Sequence, residues 1–76
     1  MNIYKTELWF SDGRHYEDYW VAKEDALSYI ERADKFNNCT RAEAWEMGAD
    51  ESNLKYENKN CLYEWDVNGK YYYKVA

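Results

Sequence analysis

The residue types that most often carry chemistry are scarce in this chain: it has one histidine, His15, and two cysteines, Cys39 and Cys61. An imidazole and two thiols could hold a zinc-like ion if a carboxylate joined them, but no Cys-x-x-Cys or His-x-x-x-His spacing brings them together. His15 stands beside a turn, where a lone imidazole is ordinarily a solvated side chain. The three glycines, Gly13, Gly48 and Gly69, are isolated turn residues and form no phosphate-cradling loop. From these residues no metal site and no cofactor are expected.

Carboxylates are plentiful, and the adjacent pairs Glu17-Asp18, Glu24-Asp25 and Asp50-Glu51 invite an acid–base reading. That work needs two groups held at a defined separation in a cleft. Neighbours on a strand point to opposite faces, so these pairs read as solvated surface charge. The expectation is a protein that is not an enzyme.

What the chain holds in quantity is amphipathic rings, nine tyrosines and four tryptophans among 76 residues, with no proline. Each ring can bury about 150–250 Å², while a domain this small buries roughly 60% of its unfolded surface. Some rings must therefore face water, where Tyr and Trp serve as anchors of binding surfaces. The same aromatic supply argues against disorder despite the low mean hydropathy.

The formal charge of -5 works against a phosphate-backbone ligand, whose affinity comes from Lys and Arg displacing counterions. A basic partner suits it better, although moderate negative charge also serves solubility. No apolar run approaches the roughly 20 residues of a membrane span, and Met1–Lys5 lacks a signal-peptide core. The expected setting is the cytoplasm, with Cys39 and Cys61 reduced.

The elements that must position these residues follow from period and turn chemistry. Asp12-Gly13 lies between aromatic-rich segments, and a three-residue loop Ser11-Asp12-Gly13 pairs Leu8 with Tyr16 and Tyr4 with Trp20. One face of that hairpin then carries Tyr4, Leu8, Phe10, Tyr16 and Trp20. The other carries Lys5, Glu7, Trp9, His15, Glu17 and Tyr19, and its higher charge assigns it to solvent. Apolar residues at Ala26, Leu27, Ile30 and Ala33 predict an amphipathic helix from Ala22 to about Phe36. Glu24 and Asp25 suit its N-terminal end, Glu31 can pair with Lys35, and Asn37-Asn38 is a left-handed stop.

Cys39–Met47 admits two readings. Thr40 and Glu43 form a helix capping box; as a strand, the segment gathers Thr40, Ala42 and Ala44 on one face, where a helix can pack closely. The strand is preferred because a single helix needs sheet beneath it. Residues 48–60 read as a long polar loop with a short strand near Leu54 to Tyr56. Asn68-Gly69 predicts a type I′ turn that pairs Val67 with Lys70, Trp65 with Tyr72 and Tyr63 with Lys74. One face is then Cys61, Tyr63, Trp65, Val67 and Tyr72; the other is Leu62, Glu64, Asp66, Tyr71, Tyr73 and Val75.

The sum is one α+β domain over residues 1–76, β-β-α-β-β-β: an antiparallel sheet of four to five strands with one helix on one face and the other face open. The open face gathers Trp9, Tyr19, Tyr71 and Tyr73 with Glu7, Glu17, Glu64 and Asp66. Carboxylates take a guanidinium and rings stack upon it, so this surface matches Arg and Lys on a partner protein. The acidic loop at Asp50-Glu51 is the second candidate. Competing roles for the aromatics are a homodimer contact, shielding of the sheet, or stacking of single-stranded bases; the last is disfavoured because Lys5, Lys70 and Lys74 are too few to offset the acids.

In length, in its Asn, Lys, Glu and Tyr bias, and in a plan ending Asn68-Gly69-Lys70-Tyr71-Tyr72-Tyr73, the chain resembles the small acidic proteins of phages and mobile elements, among them anti-CRISPR and other anti-defence inhibitors. The likeness is one of style over the whole chain, and those families share no motif from which a functional residue could be carried over. What it implies is a mode of action: stoichiometric blocking of a host protein, such as a CRISPR effector, by covering a basic surface.

Overall fold

The computed structural model describes residues 3–50 and 55–72. In the first hairpin β1 (Ile3–Phe10) pairs antiparallel with β2 (His15–Trp20). Tyr4 opposes Trp20 and Leu8 opposes Tyr16, the register that a three-residue loop imposes. Gly13 takes a φ of +92°, open to glycine at no steric cost. Asp12 closes the loop by accepting the Arg14 backbone N–H at 3.1 Å.

The helix α1 spans Lys23–Ile30, with Glu24 and Asp25 in its first turn. It is about half the length that the apolar spacing predicts. Beyond Ile30 the chain tightens into a 3-10 turn at Ala33–Lys35 and reverses at Asn38, whose φ of 68° is left-handed. This path brings Ala33 into one core cluster with Leu8, Ile30, Ala42 and Tyr63. The Glu31–Lys35 pairing expected one turn on has no α-helix to support it.

The sheet order is β2-β1-β3-β4-β5, antiparallel throughout. The Cys39 segment forms a strand, β3 (Cys39–Asp50). Ala42 and Ala44 are fully buried, where their small size lets α1 lie close to the sheet. Tyr4, Ala26 and Leu62 form a second cluster beside the first. The fold is α+β, a five-stranded antiparallel sheet with one helix packed across one face.

Three expectations are corrected in the C-terminal half. Beyond the short strand expected near Leu54 to Tyr56, the described part of residues 48–60 is not loop: β3 continues through Gly48 to Asp50, and β4 (Lys55–Asp66) is a twelve-residue strand that pairs back to Asp50. Tyr56, Glu57, Asn58 and Lys59 are exposed there. Backbone pairing makes this stretch a strand, and without a buried side it shows no apolar alternation to read.

The second correction concerns which way β4 faces. The β3–β4 register shifts between Ala44 and Trp45, so that Tyr63 opposes Ala44 while Cys61 opposes Trp45. The extra residue is Leu62, which turns into the core at 4% exposure. A bulge of this kind reverses the alternation on its far side, placing Cys61, and not Leu62, on the open face.

Third, β5 (Gly69–Tyr72) pairs Asp66 with Gly69, Trp65 with Lys70, Glu64 with Tyr71 and Tyr63 with Tyr72. The turn residues are Val67 and Asn68, one position earlier than a type I′ Asn-Gly turn requires. An aspartate turn favours this register, since Asp66 Oδ1 accepts the Asn68 N–H at 2.7 Å. Because every pair shifts by two, Glu64 now stands directly opposite Tyr71 in the backbone register.

The open sheet face as candidate functional site

Strand alternation sends residues 5, 7 and 9 of β1 away from α1, and the registers extend each position into a row across the sheet. The central row is Glu17, Glu7, Glu43 and Glu64, one glutamate from each of β2, β1, β3 and β4. Directly opposed side chains have Cβ atoms about 4.5–5.5 Å apart, and like charges so placed repel. The flanking rows answer that repulsion. On one side run His15, Trp9, Arg41 and Asp66; on the other run Tyr19, Lys5, Trp45 and Cys61.

The two inner glutamates are nearly covered, Glu7 at 9% and Glu43 at 7% exposure. Glu43 is well satisfied: Arg41 Nη2 lies 2.6 Å from its Oε2, and Trp45 Nε1 donates to its Oε1 at 3.1 Å. Arg41 also reaches Glu64 at 3.9 Å and lies over the Trp9 ring, 5.1 Å from its centroid. One guanidinium thus serves two carboxylates and a ring.

Glu7 is less well served. Lys5 Nζ is 3.8 Å from Oε2 and His15 Nε2 is 3.5 Å from Oε1. Burial pushes its carboxyl above the ordinary range, a hydrogen bond with Glu17 adds to this, Lys5 opposes it, and the charges of Glu17 and Glu43 reinforce it. At the rim, the Tyr19 hydroxyl donates to Glu17 Oε2 at 3.4 Å. That hydroxyl is raised by partial burial and then by the Glu17 charge.

Among the described residues, Glu7, His15 and Glu17 are the group whose ligand atoms could converge on a metal, all within 4.8 Å of one another. The thiols do not join His15 there: Cys39 opposes Phe10 and is buried, and Cys61 opposes Trp45. Positions 39 and 45 lie six residues apart on β3, roughly 20 Å at strand rise, too far for a Cys39–Cys61 disulfide. Both thiols are raised by burial, Cys61 to about 11.

Of the residues that the sequence nominates, Trp9, Glu17, Tyr19, Glu64 and Asp66 do share this face. Tyr71 is in register with Glu64. Asp50 pairs with Lys55 at the far end of the β3–β4 hairpin, seven positions along β3 from Glu43, so it is not part of the row. Glu51 and Tyr73 lie outside the described residues. Sequence reasoning passed over Arg41, Glu43 and Trp45, although their alternation with Thr40, Ala42 and Ala44 carried the signal once the segment was read as a strand.

No protein-family model matches the chain, and comparison with curated proteins and with solved structures finds no match.

Proposed function

We propose that this chain is a non-enzymatic binding module whose open sheet face docks on a basic surface of a partner protein and blocks it stoichiometrically. The observation that carries the reading is the row of four glutamates flanked by Trp9, Trp45 and Tyr19. Such a row offers guanidinium and ammonium groups both acceptors and flat rings. Its nearby cations, Lys5 and Arg41, are drawn to Glu7 and Glu43, which leaves little positive charge to attract a phosphate backbone. Inhibition of an anti-defence type, directed at a nucleic-acid-binding surface in the cytoplasm, is the biological form of this proposal.

The test is a titration of the full chain with an arginine-rich peptide and, separately, with a single-stranded oligonucleotide, each at low and high salt. Peptide binding that weakens with salt and is lost in a Glu17→Lys, Glu64→Lys double variant supports the reading. Tighter binding of the oligonucleotide would sink it.

A second reading is favoured by the sheet edge. β2 is an outer strand, exposed from His15 to Tyr19, with Tyr16 at 44% and Tyr19 at 59%. Such an edge can pair with a second copy, and light scattering on the eluted protein distinguishes a dimer from a monomer.

A further inference from the structure

We propose that Glu7, His15 and Glu17 form a binding site for a divalent transition-metal ion of the zinc type, at the end of the glutamate row formed by the first hairpin. The site does not depend on any partner protein. It is built from two adjacent strands whose pairing is fixed: Glu17 directly opposes Glu7, and His15 precedes Glu17 by two positions on the same side of β2. Only side-chain rotation is needed to close it.

One pair of donors already stands near the separation that a zinc ion requires. His15 Nε2 stands 3.5 Å from Glu7 Oε1. Ligands at zinc bond lengths of about 2.0–2.1 Å on a tetrahedron are separated by about 3.3 Å. Glu17 completes a set of three protein ligands within 4.8 Å, leaving a fourth position for water. One imidazole among three ligands selects zinc, cobalt or nickel over magnesium and calcium, which prefer more numerous oxygen donors.

Two features outside the donor set hold the ligands in place. The His15 ring stacks on Trp9, with centroids 4.9 Å apart and planes at 19°, which limits how the imidazole can turn beside Glu7. The Tyr19 hydroxyl donates to one oxygen of Glu17, leaving the other to coordinate. Loss of an orienting contact typically costs about 10–100-fold in metal affinity. Glu7 is nine-tenths buried between two other carboxylates, a position where added positive charge is favoured. One group opposes the ion: Lys5 Nζ, 3.8 Å from Glu7 Oε2. The affinity is set by that competition.

The experiment is a calorimetric titration of the full chain with zinc chloride, accompanied by NMR of the His15 imidazole. One-to-one binding is expected, with the His15 ring resonances moving on addition of zinc and not of magnesium. His15→Ala should weaken binding by about tenfold or more, an effect at least that of losing an orienting contact. Glu17→Gln should weaken it as well. Lys5→Met should tighten it, an outcome that a merely damaged fold would not produce. Absence of zinc binding in the wild-type chain overturns the proposal, as does binding that moves thiol-bearing residues and leaves His15 unmoved. Should His15→Ala fail to fold, the wild-type imidazole shifts and the Lys5→Met titration decide the matter.

Discussion

Glu7 stands directly opposite Glu17 across the β1–β2 register, acid against acid, with Glu43 opposite it on the other side. The Glu7 carboxyl is raised above its ordinary 4.5, first by burial, so between the unfolded and folded values the folded chain holds a proton that the unfolded chain releases. A raised carboxyl makes stability fall as pH rises through the window above 4.5, because the native state binds more protons there. Glu7→Gln should therefore raise the melting temperature at neutral pH and flatten its dependence in the window just above 4.5. Thermal melts of both proteins across that range check this, and a variant less stable at pH 7 would show that the charge on Glu7 stabilises the fold.

Arg41 links β1, β3 and β4 by touching Trp9, Glu43 and Glu64. Its side chain is about half exposed, which limits the Coulomb gain. The larger loss on truncation is at Glu43, which keeps the Trp45 donor on Oε1 but loses the Arg41 partner of Oε2. Arg41→Ala should cost about 1 kcal/mol, with Arg41→Lys intermediate because ammonium lacks the planar fork. Urea denaturation at low and high salt measures it; an unchanged midpoint would mean that the guanidinium contributes nothing net.

Ala42 and Ala44 sit at 0% exposure beneath α1. Close approach of helix to sheet depends on their size, so Ala42→Leu should overpack the layer and cost about 1–3 kcal/mol. The same change at exposed Val67 should be nearly neutral. If Ala42→Leu proves as stable as the parent, the helix is not seated on β3 as described.

How far the sequence foretold this arrangement depends on what kind of signal each element left. The first hairpin was fully legible, because Asp12-Gly13 fixed loop length, loop length fixed register, and register fixed that Trp9, Glu17 and Tyr19 share a face. β3 was legible through its small residues. Beyond the short strand near Leu54 to Tyr56, the outer half of β4 was not: Glu57 to Lys59 are exposed, and a strand held by backbone pairing alone leaves no period in its side chains. Leu62 was misassigned because one extra residue in a strand reverses facing, and nothing in Cys61-Leu62-Tyr63 announces a bulge. The C-terminal turn slipped because Asp66, not Gly69, supplied the deciding hydrogen bond. The glutamate row combines these cases. Glu7, Glu17 and Glu64 could be grouped by parity, but their alignment with Glu43 required two long-range registers.

Cys61 offers a chemical check on the facing of β4. Its thiol is pushed up to about 11, by burial first and by the Glu64 charge next, and only a thiolate reacts readily. Alkylation of the native protein near pH 8 should be slow, and denaturant should release two reactive groups, Cys39 and Cys61. Replacing Glu64 by Gln should speed Cys61 modification modestly. Rapid native labelling at neutral pH would place Cys61 in a different environment.

The binding face can be separated into parts that steer and parts that anchor. Glu17 and Glu64 occupy the outer positions of the row, and among the described residues Tyr19 is the most exposed ring there, at 59%. Charges at a rim act over distances screened beyond about 10 Å at 0.1 M salt, so they govern association more than residence. Glu17→Lys and Glu64→Lys should each slow association with a basic partner and do so less at high salt. Tyr19→Ala should instead speed dissociation, costing about 2 kcal/mol if the ring is an anchor, and its exposure predicts an unaltered melting temperature. Surface-immobilised kinetics with an arginine-rich peptide read both rates. A Tyr19→Ala variant that alters neither rate, beside charge reversals that leave association untouched, would move the contact off this face and onto the β3–β4 hairpin end at Asp50.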